Sequence, residues 1–160
     1  MARKLRIEVE GGLYHIKTRG NDRQNIFHSP DDFLKFLSLL AKQKDRSAFY
    51  LYAYCLMTNH IHLLIERQGE TVGNIMQRVL TGYSQYYNRR YKRDGHVFQG
   101  RYKDILRQSG TYLTKLVRYI HINPVRARMV QAHNKARRGY RSVALSRLLR
   151  SLLSNSLIKK

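Results

Sequence analysis

The chain of 160 residues is long enough for one domain with a hydrophobic core and too short for two. Its 31 Lys and Arg against 10 Asp and Glu give a formal charge of +21, which points to a polyanionic partner, nucleic acid first. A single cysteine, Cys55, excludes an internal disulfide framework and a cysteine-based zinc module, and no apolar run reaches membrane-spanning length.

Residues 12–19, Gly-Leu-Tyr-His-Ile-Lys-Thr-Arg, read as a first strand, followed by a polar loop through Asn25. Ser29 then caps a helix that opens with Pro30, Asp31 and Asp32 and carries Phe33, Leu34, Phe36, Leu37, Leu40 and Ala41 in one stripe. Phe49 to Leu56 is β-rich, and Met57-Thr58-Asn59 is a tight connection into the run His60-Ile-His-Leu-Leu-Ile65, which makes a hairpin. From Thr71 to about Tyr91 the spacing of Val72, Ile75, Met76, Val79, Tyr83, Tyr86 and Tyr87 is helical, and Asp94-Gly95 ends it. Val97 to Leu106 reads as a fourth strand, and Gly110 to Asn123 as a third helix that Pro124 stops. The order β, α, β, β, α, β, α predicts an α+β fold of the ferredoxin-like split βαβ plan, an antiparallel sheet with two helices on one face. The other face is left for a site. Residues 1–130 would form that domain. Residues 131–160, with eight Lys or Arg and no acid, have Leu145, Leu148, Leu149, Leu152 and Leu153 at helical spacing and suggest a basic helical tail.

Side chains alternate along a strand, so His60 and His62 project together while Ile61, Leu63 and Ile65 point into a core. Two neutral imidazoles roughly 7 Å apart along the backbone can converge on one divalent ion, or can simply be polar positions on an open face. Glu66 shares that face but lies about 13 Å along the strand from His62, too far for the same ion. On the third helix, Leu113, Leu116, Val117 and Ile120 form an apolar stripe bordered by Tyr119 and Asn123, which are four apart and share a face. Docked beside the sheet, they would bring a phenol and an amide oxygen to the imidazoles. Spacing alone does not choose Tyr119 among twelve tyrosines.

Four segments in order, Gly20-Asn-Asp-Arg, Tyr54-Cys-Leu-Met-Thr-Asn-His-Ile-His-Leu-Leu, Gly95-His-Val-Phe-Gln-Gly-Arg-Tyr102 and Arg118-Tyr-Ile-His-Ile-Asn-Pro-Val-Arg-Ala127, resemble the REP-associated tyrosine transposases. These belong to the single-tyrosine HUH superfamily, named for histidine, a hydrophobic residue and histidine. The resemblance covers residues 10–130 and ends after Val130. It implies an HUH nuclease fold, His60, His62 and Asn123 as ligands of Mg2+ or Mn2+, and Tyr119 as nucleophile. It further implies cleavage and transfer of single-stranded REP-type hairpin DNA through a 5'-phosphotyrosine, with no nucleotide cofactor. His15 and the loop from Gly20 to Asn25, including Asn21 and Arg23 and the adjoining Arg19, fall near the DNA-contacting surface of such proteins.

Rings and cations alternate at Phe98, Arg101, Tyr102 and Lys103, a pattern suited to stacking unpaired bases beside phosphates. A second such group, Tyr86, Tyr87, Arg89, Arg90, Tyr91 and Lys92, reads equally as a solvated basic helix end. The expected partner is single-stranded hairpin DNA, with no membrane, in the cytoplasm, as a monomer or a homodimer. Two other readings stay open: a hairpin-binding module without turnover, and a basic RNA-binding protein with an adventitious histidine pair.

Overall fold

The computed structural model describes residues 8–107 and 119–120. Its elements are β1 (Leu13–Arg19), α1 (Pro30–Arg46), β2 (Phe49–Leu56), β3 (His60–Arg67), α2 (Val72–Tyr91) and β4 (Lys103–Arg107), with a short 3-10 turn at Asn21–Arg23. The strands form one antiparallel sheet in the order β2-β3-β1-β4, as the split βαβ plan requires. The expected tail at 131–160, the domain boundary at 130 and the third helix apart from Tyr119 and Ile120 lie outside the described residues.

Each helix starts where its residues satisfy the free backbone N–H groups. Asp32 Oδ2 accepts from the N–H of His28 at 2.7 Å and of Ser29 at 3.0 Å, closing the first turn of α1. Thr71 Oγ1 accepts from the N–H of Asn74 at 3.2 Å to open α2. The apolar stripes then face the sheet: Phe36, Leu37 and Leu40 of α1 and Val72, Ile75, Met76, Val79 and Tyr83 of α2 pack on Tyr14, Ile16, Ile61, Leu63 and Ile65. Burying each such side chain contributes on the order of 2 kcal/mol. This is why β1 and β3 cannot slip by one residue, since a slip would send that whole set to the opposite face.

The fourth strand starts later than the sequence suggests. Val97 and Phe98 turn into the main core, Gly100 adopts φ +64°, and pairing with β1 begins only at Lys103. The segment before it is tied to the end of β1 instead, by Asn21 N–H to Val97 O and Gln99 N–H to Arg19 O, both 2.9 Å. A left-handed glycine cannot continue a strand, so the chain turns a corner there.

The opposite face of the sheet is only partly open. Leu13, Ala53, Cys55, Met57 and Leu64 form a second apolar cluster there, and the fully buried Ile120 completes it. The histidines stand beside that patch.

Candidate functional site

The register puts one row of polar side chains on the second face. Lys17 lies opposite His62 and Arg19 opposite His60 across the β1–β3 ladder, with Lys103 opposite Lys17 on β4. The tight turn holds the far end, through Met57 N–H to His60 O at 2.8 Å and Gly20 N–H to Asn59 O at 2.8 Å. His60 and His62 therefore share a face, as alternation demands, with ring centroids 5.2 Å apart and planes at 80°.

His62 is 2% exposed, and His60 is half-buried. Burial, reinforced by the neighbouring His15, His60 and Lys17, pushes the His62 pKa down to about 3. Burial and the Lys17 charge lower that of His60 as well. Both imidazoles are consequently neutral at physiological pH, the form a cation needs. Their Nδ1 atoms are already engaged: His62 Nδ1 is 3.0 Å from His15 Nε2, and His60 Nδ1 is 2.7 Å from Asn59 Oδ1. Two imidazole nitrogens on one face could take part in holding a divalent cation. Among the described residues no three His, Cys, Asp or Glu are grouped to hold a metal by themselves. Asn123, the expected third ligand, lies outside the described residues.

Tyr119 stands by His62 and His15. Its ring centroid is 6.3 Å from that of His62 and 6.5 Å from that of His15, edge-on to both, and it is 41% exposed. Ile120, the next residue, is buried in the second apolar cluster, so one residue anchors and its neighbour presents a phenol. Cys55, opposite His62 on β2, is buried, which pushes its thiol pKa up to about 12 and makes it inert. Glu66 is occupied elsewhere, accepting from Tyr52 Oη and Gln68 Nε2 at 2.5 Å each.

The expected DNA-contacting residues divide. Asn21, Phe98 and Arg101 line one groove of 560 Å³ together with Ser84, Gln85 and Asn88 of α2. Arg19, exposed, donates from Nε to Gln99 Oε1, and exposed Arg23 sits in the same loop at φ +58°. Lys103 and Arg89 are exposed. Phe98 and Tyr102, however, are 7% and 6% exposed and belong to the main core, so their rings support the loop rather than stack on bases. Arg90 is also committed to the fold: it donates to Asp31 Oδ2 at 3.1 Å and pairs with the buried Asp32 at 3.7 Å, tying α2 to α1. Tyr86 and Tyr91 likewise donate to Asp32, at 3.0 and 2.7 Å, and Tyr87 is buried. Nothing in local spacing separates a stacking ring from a core ring.

Lys17 was not singled out from sequence, although alternation from His15 to Arg19 would have found it on the site face. The contact of His15 with His62 depends on cross-strand register and carries no sequence signal.

Against known proteins, a family model described as IS200-like transposase matches residues 8–123. The structure of a REP-associated tyrosine transposase bound to a REP hairpin aligns with a TM-score of 0.69 at 17% identity, over 82% of this chain and 77% of that one. A putative transposase from Deinococcus radiodurans aligns with a TM-score of 0.49 at 16% identity, over 74% of this chain and 95% of that one. No curated protein matches the chain significantly.

Proposed function

This chain belongs to the IS200-like transposase family, and from that premise we propose that it nicks and rejoins single-stranded hairpin DNA with Tyr119 as nucleophile and His60 and His62 as metal ligands. The observation that carries the reading is the edge-on approach of the Tyr119 ring, 6.3 Å from the His62 ring, on the face that holds both neutral imidazoles. The relative bound to a REP hairpin shares the fold, which supports hairpin DNA as the ligand class.

His60 and His62 would hold Mg2+ or Mn2+, and Asn123 would complete the protein's share of the coordination. When bound, such a cation neutralises charge on a non-bridging phosphate oxygen and makes phosphorus more electrophilic. The chain supplies the rest. Lys17 and Arg19, exposed beside the histidines, draw the phosphate backbone onto this face, and Lys103 extends the positive row. Tyr119 Oη gives up its proton to solvent as it attacks phosphorus in line. The P–O3' bond breaks, its electron pair stays on O3', and that oxygen takes a proton. The products are a 5'-phosphotyrosine and a free 3'-hydroxyl, so the reverse attack by another 3'-hydroxyl reseals or transfers the strand. The groove lined by Asn21, Arg101, Ser84, Gln85 and Asn88, on the α2 side of the sheet, offers hydrogen-bonding groups to unpaired bases elsewhere along the strand.

The test is incubation of the protein with a single-stranded REP-type hairpin and Mn2+ or Mg2+, resolved on a denaturing gel. A covalent protein–DNA adduct is expected from the wild type and none from Tyr119→Phe, with hairpin binding retained by both. His60→Ala should also abolish the adduct and spare binding. An adduct that survives in Tyr119→Phe refutes the assignment of the nucleophile. Tight binding with no wild-type adduct in either metal makes the protein a hairpin-binding module instead.

A further inference from the structure

In both site histidines the same ring nitrogen, Nδ1, is occupied by a neighbouring side chain. Asn59 Oδ1 is 2.7 Å from His60 Nδ1, and an amide oxygen only accepts. The proton of neutral His60 must therefore sit on Nδ1, which leaves the lone pair on Nε2. The orientation of that amide is itself fixed, because Asn59 Nδ2 donates to the Arg23 carbonyl at 3.2 Å. With its NH2 group turned to a carbonyl, Asn59 has only its oxygen to offer His60.

His62 is held from the neighbouring strand. His15 lies opposite Leu64 and so is the diagonal neighbour of His62, close enough for two rings to meet. The rings stack with centroids 5.2 Å apart and planes at 20°, and His15 Nε2 is 3.0 Å from His62 Nδ1. That contact needs one nitrogen to carry the proton and the other to accept it. When His62 uses Nε2 as a ligand, Nδ1 is the donor and His15 Nε2 the acceptor.

We infer that Asn59 and His15 are positioning residues that hold His60 and His62 in the Nδ1–H tautomer, so that two Nε2 lone pairs face one divalent cation. The inference rests on the metal role proposed above for the two histidines. Its physical basis is general: the hydrogen bond made by one imidazole nitrogen decides which form the other presents, and it restrains the ring about its χ angles. It also gives the Gly20–Gln24 loop a task besides DNA contact. The Arg23 carbonyl within it orients the amide that orients His60.

Two measurements on the metal-free and Mn2+-titrated protein test this without DNA or turnover. In histidine-labelled protein at about pH 7.5, long-range proton–nitrogen correlation spectra should give the Nδ1–H tautomer for both His60 and His62. His15→Leu should release His62 toward Nε2–H, and Asn59→Ala should do the same to His60. His15→Gln and Asn59→Asp, which keep an acceptor oxygen, should restore each. Mn2+ affinity read by electron paramagnetic resonance should fall by about 10- to 100-fold in His15→Leu and Asn59→Ala, and stay within about threefold of wild type in the acceptor-bearing variants.

Tautomers that do not respond to His15→Leu and Asn59→Ala overturn the inference, as does unchanged Mn2+ affinity in both. Spin-echo modulation from three imidazole nitrogens in the wild type, falling to two in His15→Leu, overturns it differently by making His15 a ligand. A wild type that binds no Mn2+ refutes the metal reading itself, and the tautomer spectra still decide whether His15 and Asn59 orient the pair.

Discussion

Acidification should destabilise the metal-free protein through His62 by an amount that its environment sets. The imidazole is 2% exposed, and burial, with His15, His60 and Lys17 beside it, lowers its pKa from 6.5 to about 3. The unfolded chain therefore binds a proton that the folded chain refuses across the window between these values. The stabilising contribution is fully present above pH 6.5 and is withdrawn as pH falls toward 3. At pH 5 the loss is 1.5 pH units at about 1.36 kcal/mol each, or about 2 kcal/mol. Urea unfolding in the presence of a chelator, compared between about pH 7.5 and pH 5, reads it directly. His62→Gln keeps a polar side chain that does not titrate in this range, so its own loss over the same interval should be smaller by about 2 kcal/mol. Equal losses in wild type and variant would refute the reasoning, because the imidazole would then carry no folding-linked proton.

Four further outcomes follow from other contacts. Ile120→Ala removes a fully buried side chain from the cluster that anchors Tyr119; it should cost about 2–4 kcal/mol in urea unfolding, or undock the tyrosine segment and cut adduct formation more than about tenfold with hairpin binding intact. Gly20→Ala should destabilise by about 1–3 kcal/mol, since a Cβ there runs into the Gln24 carbonyl oxygen and lies 2.9 Å from Ile26 Cγ2; thermal melts check it. Asp32→Ala leaves the N–H groups of His28 and Ser29 and the hydroxyls of Tyr86 and Tyr91 without their acceptor, and about 3 kcal/mol or more should disappear from the urea-derived stability. Lys17→Gln should flatten the salt dependence of hairpin affinity by about one unit in a log–log plot if Lys17 contacts a phosphate, and an unchanged slope would take it off the DNA path.

The residue pattern and the structure agree most closely where side chains obey a simple period. The alternation through His60–Ile65 assigned one set to the core and the histidines to the opposite face, and the stripe on Val72–Tyr87 assigned the inward face of α2. Agreement fails where a residue's fate depends on a distant partner. Phe98 and Tyr102 look like exposed rings among cations, yet the corner at Gly100 swings them into the core. Arg90 looks like a free cation at a helix end, yet Asp31 and Asp32 at the start of α1 claim it.

By itself, the amino-acid order determined a basic α+β domain, the split βαβ succession of its elements and the shared face of His60 and His62, because charge, hydrophobic period and turn chemistry are properties of neighbouring residues. Only the tertiary structure decided that Tyr119 reaches that face and that His15 and Asn59 take hold of the two imidazoles. These contacts join β1, the turn before β3 and the segment at 119–120, and chain elements so far apart in sequence acquire a common geometry only when the sheet register and the buried Ile120 bring them together.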